Sequence, residues 1–396
     1  QLINAPLTLS KDGAFTLEFA LCPYPFRPAE DNWKKIRFRA GANSNCDLLW
    51  QTASMMPYAG SLLTFKDSAA VQAFLQKGAE YQLVYQIPTY IIETIPQWSY
   101  FRKKWRGLPA RAYDFRASHG GMMPKGDFRE RTWVDLYIKT MVDHLQEHQW
   151  GGIYYDCFCI DTFQDNDGIV LPIFENRTFH ERVYHAQRLH NPKSLTISHL
   201  GADQASTLAA FSNVVLMGEQ YRGNFVNHRY FLDFLTLDEF RYENVVNIGP
   251  DRMLLPQYRR AEDVNNPELT THVMGMALAH NLMVYPNFIV KEVELRFRDR
   301  QFAFGMQDAE FFPYWEPNPD GLTTSNPDVK MSYWKNPKGI FAVILNASKA
   351  PVDFTVSAPG KLAGEFYEPL EDKTSAWQPE RQLHIAPYLA ALLTIK

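Results

Sequence analysis

The feature that most constrains the fold of this chain is the alternation of short apolar runs with longer amphipathic segments, up to about residue 290. The short runs predict buried strands, and the segments between them carry apolar residues at the spacing of a helix face. Strand–helix alternation repeated about eight times is typical of a parallel α/β barrel. We therefore predict an α/β fold with a TIM-like (β/α)8 barrel over residues 1–305.

The same runs set the boundaries of the predicted elements. Strands are predicted at 15–22, 47–52, 81–87, 152–156, 195–199, 214–218, 253–256 and 282–285. Helices are predicted at 68–76, 130–149, 174–190, 202–212, 227–240 and 267–280. A long insert near 88–128 follows the third strand, and an insert of this length is usually functional. We expect it to form a lid or a substrate wall at the strand-end face of the barrel.

The pattern changes in the last quarter of the chain. Residues 306–396 contain many short apolar runs separated by turn residues such as Asn336-Pro337 and Pro359-Gly360. Short strands with this punctuation predict a C-terminal antiparallel β-sandwich. No low-complexity linker separates it from the barrel, so we expect the two domains to pack against each other.

The composition narrows the possible partners. Apolar residues make up 46% of the chain and charged residues 21%, as in a folded globular protein. The net charge of -4 gives no reason to propose a nucleic acid as partner. No apolar run is long enough to span a membrane. Aromatic residues reach 14%, and because sugar C–H faces stack on aromatic rings, this favours a carbohydrate partner.

The start of the chain and its cysteines bear on its location. The chain begins at Gln1 without an initiator methionine, so we expect a removed targeting segment or a longer gene product. The 4 cysteines are too few for a disulfide framework in a chain of this size. We expect an extracytoplasmic protein, either periplasmic or secreted.

The run Gly-Gly-Ile-Tyr-Tyr-Asp-Cys at 151–157 is the most informative segment for chemistry. A buried strand that ends on Asp156 presents a carboxylate at the C-terminal edge of a barrel, where catalytic groups lie. The sixth predicted strand ends at Gly218 and is followed by Glu219. Two carboxylates on alternate strands suit glycoside hydrolysis, in which one attacks the anomeric carbon and the other protonates the leaving oxygen.

We predict Asp156 as the nucleophile and Glu219 as the acid/base of a retaining glycoside hydrolase. Polar and aromatic residues at other strand ends and in the insert are predicted to contact the substrate. They are Trp50, His119, Tyr155, His199, Tyr221, Arg222, Gln257 and Tyr258. We expect neither a cofactor nor a metal in this mechanism.

Two alternatives use the same barrel. In the first, Asp156, His199 and Glu219 bind a divalent metal in a hydrolase or aldolase. In the second, the chain is a carbohydrate-binding protein without catalytic activity on a hydrolase frame. Metal analysis separates the first alternative from the sugar enzyme, and a glycan panel scored for both binding and turnover separates the second.

Three segments resemble known glycoside hydrolases. Thr16-Leu-Glu-Phe-Ala-Leu-Cys-Pro and Phe311-Phe-Pro-Tyr-Trp resemble segments of glycoside hydrolase family 123 and related uncharacterised bacterial proteins. Gly152-Ile-Tyr-Tyr-Asp is similar to the fourth-strand segment that carries the nucleophile in families 27 and 36. The family 123 resemblance implies a β-sandwich upstream of the barrel, so we expect sequence before Gln1.

The resemblance also bears on the mechanism. Family 123 enzymes carry adjacent Asp and Glu residues at a strand end and use substrate assistance. Here Cys157 follows Asp156, which favours the separated pair Asp156 and Glu219.

Overall fold

The computed structural model describes residues 81–396 except 92, 108–111, 115–121, 149, 159–162, 166–167, 201–205 and 246–248. Before residue 81 it describes 48–50 and the single residues 73, 76 and 79. In the described part of the chain, no helix is long and apolar enough to cross a membrane.

A parallel sheet forms the first domain. Its 7 described strands are Leu48–Trp50, Tyr81–Gln86, Gly152–Phe158, Leu195–Leu200, Val214–Met217, Asp251–Leu254 and Met283–Val284. They lie side by side in chain order, and every neighbouring pair is parallel. This is the strand arrangement of an α/β barrel. The strand predicted at 15–22 lies outside the described residues, and the other seven predicted strands each overlap one of those observed, although the bounds differ by up to two residues.

In the described part of this domain, the α-helices are Trp98–Trp105, Arg131–His148, Ile173–His190, Ser206–Ala209, Leu237–Val245, Ala261–Val264, Pro267–Ala279 and Lys291–Phe304. Among the described residues, 3₁₀ helices cover Glu219–Val226, Phe231–Asp233 and Met306–Asp308. Four short strands pair as hairpins, Ala112–Asp114 with Met122–Pro124 and Phe163–Asp165 with Gly168–Val170.

The single helix predicted at 227–240 is wrong. A new helix starts at Leu237, because Thr236 and Glu239 form a reciprocal cap. The Glu239 carboxylate accepts the Thr236 backbone N–H at 2.7 Å, and the Thr236 hydroxyl accepts the Glu239 N–H at 3.1 Å. This is the capping box of a helix N-terminus, so the chain before it follows a different path.

The long insert is partly ordered secondary structure. It contains the helix Trp98–Trp105 and the hairpin of Ala112–Asp114 with Met122–Pro124. Trp105 is buried, and its indole N–H donates to the Thr132 hydroxyl at 2.8 Å. The insert is therefore anchored to the start of the helix Arg131–His148.

The C-terminal domain is built from antiparallel strands. Its strands are Glu310–Phe312, Thr323–Thr324, Val329–Asn336, Gly339–Asn346, Val352–Phe354, Val356–Ser357, Gly364–Glu368, Lys373–Trp377, Leu383–Ile385 and Ala390–Ile395. Six of them form one sheet, and the other four form two short pairs. An apolar core that includes Phe354, Trp377 and Leu383 lies between these layers.

The helix Pro267–Ala279 joins the two domains. It packs against the strands Gly339–Asn346 and Ala390–Ile395, and its apolar side chains share one core with them. A Cβ at Gly275 would lie 2.3 Å from the Ala390 Cβ, so this close approach of helix to sheet requires glycine. The last α-helix ends at Phe304, and the 3₁₀ helix Met306–Asp308 precedes the first strand of the sheet.

Candidate active site

Asp156 lies where the strand Gly152–Phe158 loses its regular pairing. The register with the strand Leu195–Leu200 shifts between Tyr155 and Phe158, and Cys157 has a φ of 53°. A non-glycine residue in the left-handed region is strained and is often found at functional sites. The irregular strand end leaves the Asp156 side chain 26% exposed at the C-terminal edge of the sheet.

Three donors surround the Asp156 carboxylate. The Tyr85 hydroxyl donates to Oδ2, and the Cys157 backbone N–H donates to Oδ1 at 2.8 Å. His199 Nδ1 lies 3.2 Å from Oδ1. Burial raises the pKa of Asp156, but the hydrogen bonds from His199, Tyr85 and the Cys157 amide outweigh it and lower that pKa below its ordinary value. Asp156 is therefore a carboxylate at neutral pH.

Glu219 is positioned by the turn after the strand Val214–Met217. Gly218 has a φ of 121°, and a Cβ there would lie 2.2 Å from the Leu255 carbonyl oxygen. Only glycine fits this turn. Glu219 then begins a 3₁₀ helix with its side chain 30% exposed, and Arg222 Nη1 donates to its Oε1 at 3.0 Å.

His199 lies between the two carboxylates. Its Nδ1 is 3.2 Å from Asp156 Oδ1, and its Nε2 is 3.4 Å from Glu219 Oε2. The hydroxyl of Tyr154 is 3.0 Å from the same Nδ1. The imidazole is buried, so its orientation is held by these polar neighbours. The predicted residues Asp156, His199 and Glu219 are thus brought together, with Arg222 beside Glu219.

Two tyrosines at this site were not predicted. Tyr154 is two residues before Asp156, and alternate residues of a strand share a face. Tyr85 pairs in register with Tyr154 on the neighbouring strand, and their rings stack at a centroid distance of 5.5 Å. The alternation of the strand could have identified Tyr154. Tyr85 could be found only once the register of the two strands was known.

Tyr155 and Tyr221 depart from their predicted placement. Tyr155 is on the opposite face of the strand from Asp156 and packs edge-on against His180, with ring centroids 5.2 Å apart. The 3₁₀ helix turns Tyr221 into the core, where its hydroxyl donates to Glu243 at 2.6 Å. Neither side chain is beside the Asp156–His199–Glu219 cluster.

The remaining predicted contacts are spread along the strand ends. Gln257 and Tyr258 follow the strand Asp251–Leu254, and the buried Tyr258 ring packs against Phe225 at a centroid distance of 4.6 Å. The Trp50 backbone pairs with Leu83. His119 lies outside the described residues.

The described residues hold no group of three His, Cys, Asp or Glu side chains arranged to bind one metal ion. The geometry at the cluster explains this. Each ring nitrogen of His199 faces a different carboxylate. Asp156, Glu219 and a single His199 nitrogen therefore do not surround one point that a metal ion could occupy.

Comparisons with known proteins relate the chain to others by structure. No protein-family model and no curated protein matches its sequence. An α-amylase from Lactobacillus plantarum superposes with a TM-score of 0.62 at 8% identity, covering 92% of this chain and 99% of that one. A maltogenic α-amylase from Thermotoga neapolitana does so with a TM-score of 0.58 at 9% identity, covering 89% and 91%.

A third similar structure is the α-amylase from Geobacillus thermoleovorans complexed with acarbose. Its TM-score is 0.58 at 9% identity, and the match covers 89% of each chain. These structures combine a TIM barrel with a C-terminal β domain, which confirms the predicted fold class. Sequence identities this low support a similarity of fold and no conclusion about activity or substrate.

Proposed function

We propose that this protein is a glycoside hydrolase that cleaves glycosidic bonds in an oligo- or polysaccharide. The observation that carries the proposal is an ionised carboxylate, Asp156, held by three donors at the C-terminal edge of the barrel, with Glu219 across His199. The fold shared with several α-amylases supports it. Catalytic groups of such barrels lie at this edge.

The proposed reaction has two steps and retains the anomeric configuration. In the first, an Asp156 oxygen bonds to the anomeric carbon while Glu219 gives its proton to the leaving glycosidic oxygen. In the second, the Glu219 carboxylate takes a proton from water, and the water oxygen displaces Asp156. The low pKa of Asp156 suits the first role, because the attacking group must be unprotonated.

His199 would connect the two carboxylates. A neutral imidazole has one N–H, and an Nδ1–H facing Asp156 leaves the Nε2 lone pair facing Glu219 Oε2 at 3.4 Å. His199 would therefore orient the two proposed catalytic groups, with one ring nitrogen facing each of them.

The test is a screen of chromogenic glycosides and polysaccharides with wild type, Asp156→Asn and Glu219→Gln. Each variant should lose turnover by roughly 10³-fold or more while the thermal midpoint stays close to that of wild type. Asp238→Asn is the matched control, because the Asp238 side chain is 81% exposed on a helix. Product stereochemistry followed by NMR should show retention.

The screen also covers the alternative outcomes. Near-normal turnover in Asp156→Asn or Glu219→Gln would remove that residue from the mechanism. Inverted product would make Asp156 the base that activates water. Binding across the panel without turnover by the wild type would leave a carbohydrate-binding protein instead of an enzyme.

A further inference from the structure

A basic segment lies on the insert that contacts the strand end beside Asp156. We use this name for Arg102, Lys103, Lys104 and Arg106, which are all exposed. Three of them form the last turn of the helix Trp98–Trp105, and Arg106 follows it. Among the residues that the structure describes, none of the four is paired with a carboxylate.

Backbone contacts connect the basic segment to Asp156. Arg106 forms a β-bridge with Gly126, whose N–H donates to the Thr89 carbonyl at 2.8 Å. The Thr89 hydroxyl donates to the Cys157 carbonyl at 3.0 Å, and the Cys157 N–H donates to Asp156. The insert is therefore held against the strand end that carries the proposed nucleophile.

The charge of the insert differs in sign from that of the whole chain. Residues 88–128 contain seven Lys or Arg and three Asp or Glu, a net charge of +4, whereas the whole chain carries -4. Attraction between three of these cations and the helix C-terminus explains part of this pattern. It does not explain the exposed Arg259, which follows a different barrel strand.

An exposed aromatic ring accompanies the cations. Tyr100 is 85% exposed on the helix Trp98–Trp105, and Phe101 is 37% exposed. Cations bind carboxylate or sulfate groups, and aromatic rings stack on sugar faces. The combination of cations and an aromatic ring fits a charged polysaccharide better than an anionic surface without sugars, because binding to such a surface does not need an aromatic ring.

We propose that the basic segment binds an anionic polysaccharide, one that carries carboxylate or sulfate groups, and that this is the substrate class of the barrel site. This inference rests on the proposed glycoside hydrolase function. Although the protein carries a net negative charge, the positive charge of the basic segment draws anionic polysaccharides to the site and holds them there.

The test is affinity electrophoresis of the Asp156→Asn variant in native gels that contain polygalacturonate, chondroitin sulfate or starch. The quadruple variant R102Q/K103Q/K104Q/R106Q is compared with the control K193Q/K349Q/K373Q/K396Q. The control removes the same charge from exposed lysines elsewhere on the chain. We expect retardation by one or both anionic polymers but not by starch, weakened about 10-fold or more only in the basic-segment variant, and decreasing with added salt.

Several results would overturn the proposal. These are equal retardation by starch, an equal loss in the control variant, or tighter binding to anionic lipid vesicles or to a DNA oligonucleotide than to either anionic polysaccharide. The outcome is independent of the glycoside hydrolase proposal, because Asp156→Asn is used for binding alone. Turnover of neutral starch that depends on Asp156, without anionic binding, would refute only the substrate class.

Discussion

The C-terminal edge of the barrel and the β-sandwich differ in the regularity of their strands and in the polarity of their buried side chains. At the barrel edge the strand is irregular at Cys157, and a buried histidine contacts two carboxylates. In the sandwich, the strands Val329–Asn336 and Gly339–Asn346 pair without interruption over their whole length around an apolar core. The difference indicates that the irregular backbone at the barrel edge serves to position the polar side chains of the proposed site, while the regular sandwich contributes stability.

The largest effect on stability is expected in the sandwich. Trp377 is fully buried in its core, so Trp377→Ala should lower the free energy of unfolding by about 3–5 kcal/mol through lost contacts and a cavity. Chemical denaturation measures this loss. Turnover per folded molecule should stay at the wild-type value. A large fall in turnover would contradict the assignment of catalysis to the barrel edge and of stability to the sandwich.

A smaller loss is expected at the turn before Glu219. Gly218→Ala places a methyl group against the Leu255 carbonyl and forces a φ of 121° on alanine, at a cost of about 1–3 kcal/mol. Turnover should fall as well, because Glu219 must shift. Gly223→Ala is the control in the same 3₁₀ helix, since a Cβ there meets nothing within 4 Å. Equal effects of both variants would show that the turn does not position Glu219.

The hydrogen bond from Tyr85 should affect activity more than stability. Tyr85→Phe removes one of the donors that lower the pKa of Asp156, so that pKa should rise. The acid limb of the kcat/KM profile then moves to higher pH, and kcat/KM falls about 10-fold, equivalent to about 1.4 kcal/mol. Tyr155→Phe is the control, because Tyr155 lies on the other face of the strand. An unmoved acid limb in Tyr85→Phe would contradict the role of this bond.

The smallest effect concerns stability at low pH. The folded pKa of Asp156 is below its unfolded value, so its carboxylate stabilises the fold above a pH of about 3.9. This contribution is lost as the pH falls through the lower folded pKa. The thermal midpoint of wild type should exceed that of Asp156→Asn by at most a few degrees at pH 6. The gap should close towards pH 2, and a gap that widens there would reverse the assigned direction.

Much of the fold was predictable because its signals are local. Strand and helix periods are visible within a few residues, so the barrel strands and the sandwich were predicted from runs and turn residues. The helix predicted at 227–240 failed because a capping box at Thr236 starts a new helix. The contact between the helix Pro267–Ala279 and the sheet depends on packing that no local pattern contains.

The candidate site was predictable in part. Asp156, His199 and Glu219 were identified because each follows or ends an apolar strand. Tyr155 was predicted to contact the substrate, but its ring packs against His180, and the alternation of side chains places Tyr154 with Asp156 instead. Tyr85 lies 71 residues from Asp156 in the chain, so only the parallel register reveals the contact.

By itself the sequence determined which polar residues lie near the carboxyl ends of the barrel strands, since hydrophobic periodicity and the polar residues that follow it are properties of neighbouring residues. The tertiary structure alone decided that His199 lies between Asp156 and Glu219, that Tyr85 donates to Asp156, and that Arg106 is linked through Gly126 and Thr89 to Cys157. These contacts join residues far apart in the chain. Their geometry depends on strand register and on the backbone strain at Cys157, which packing across the whole sheet sets.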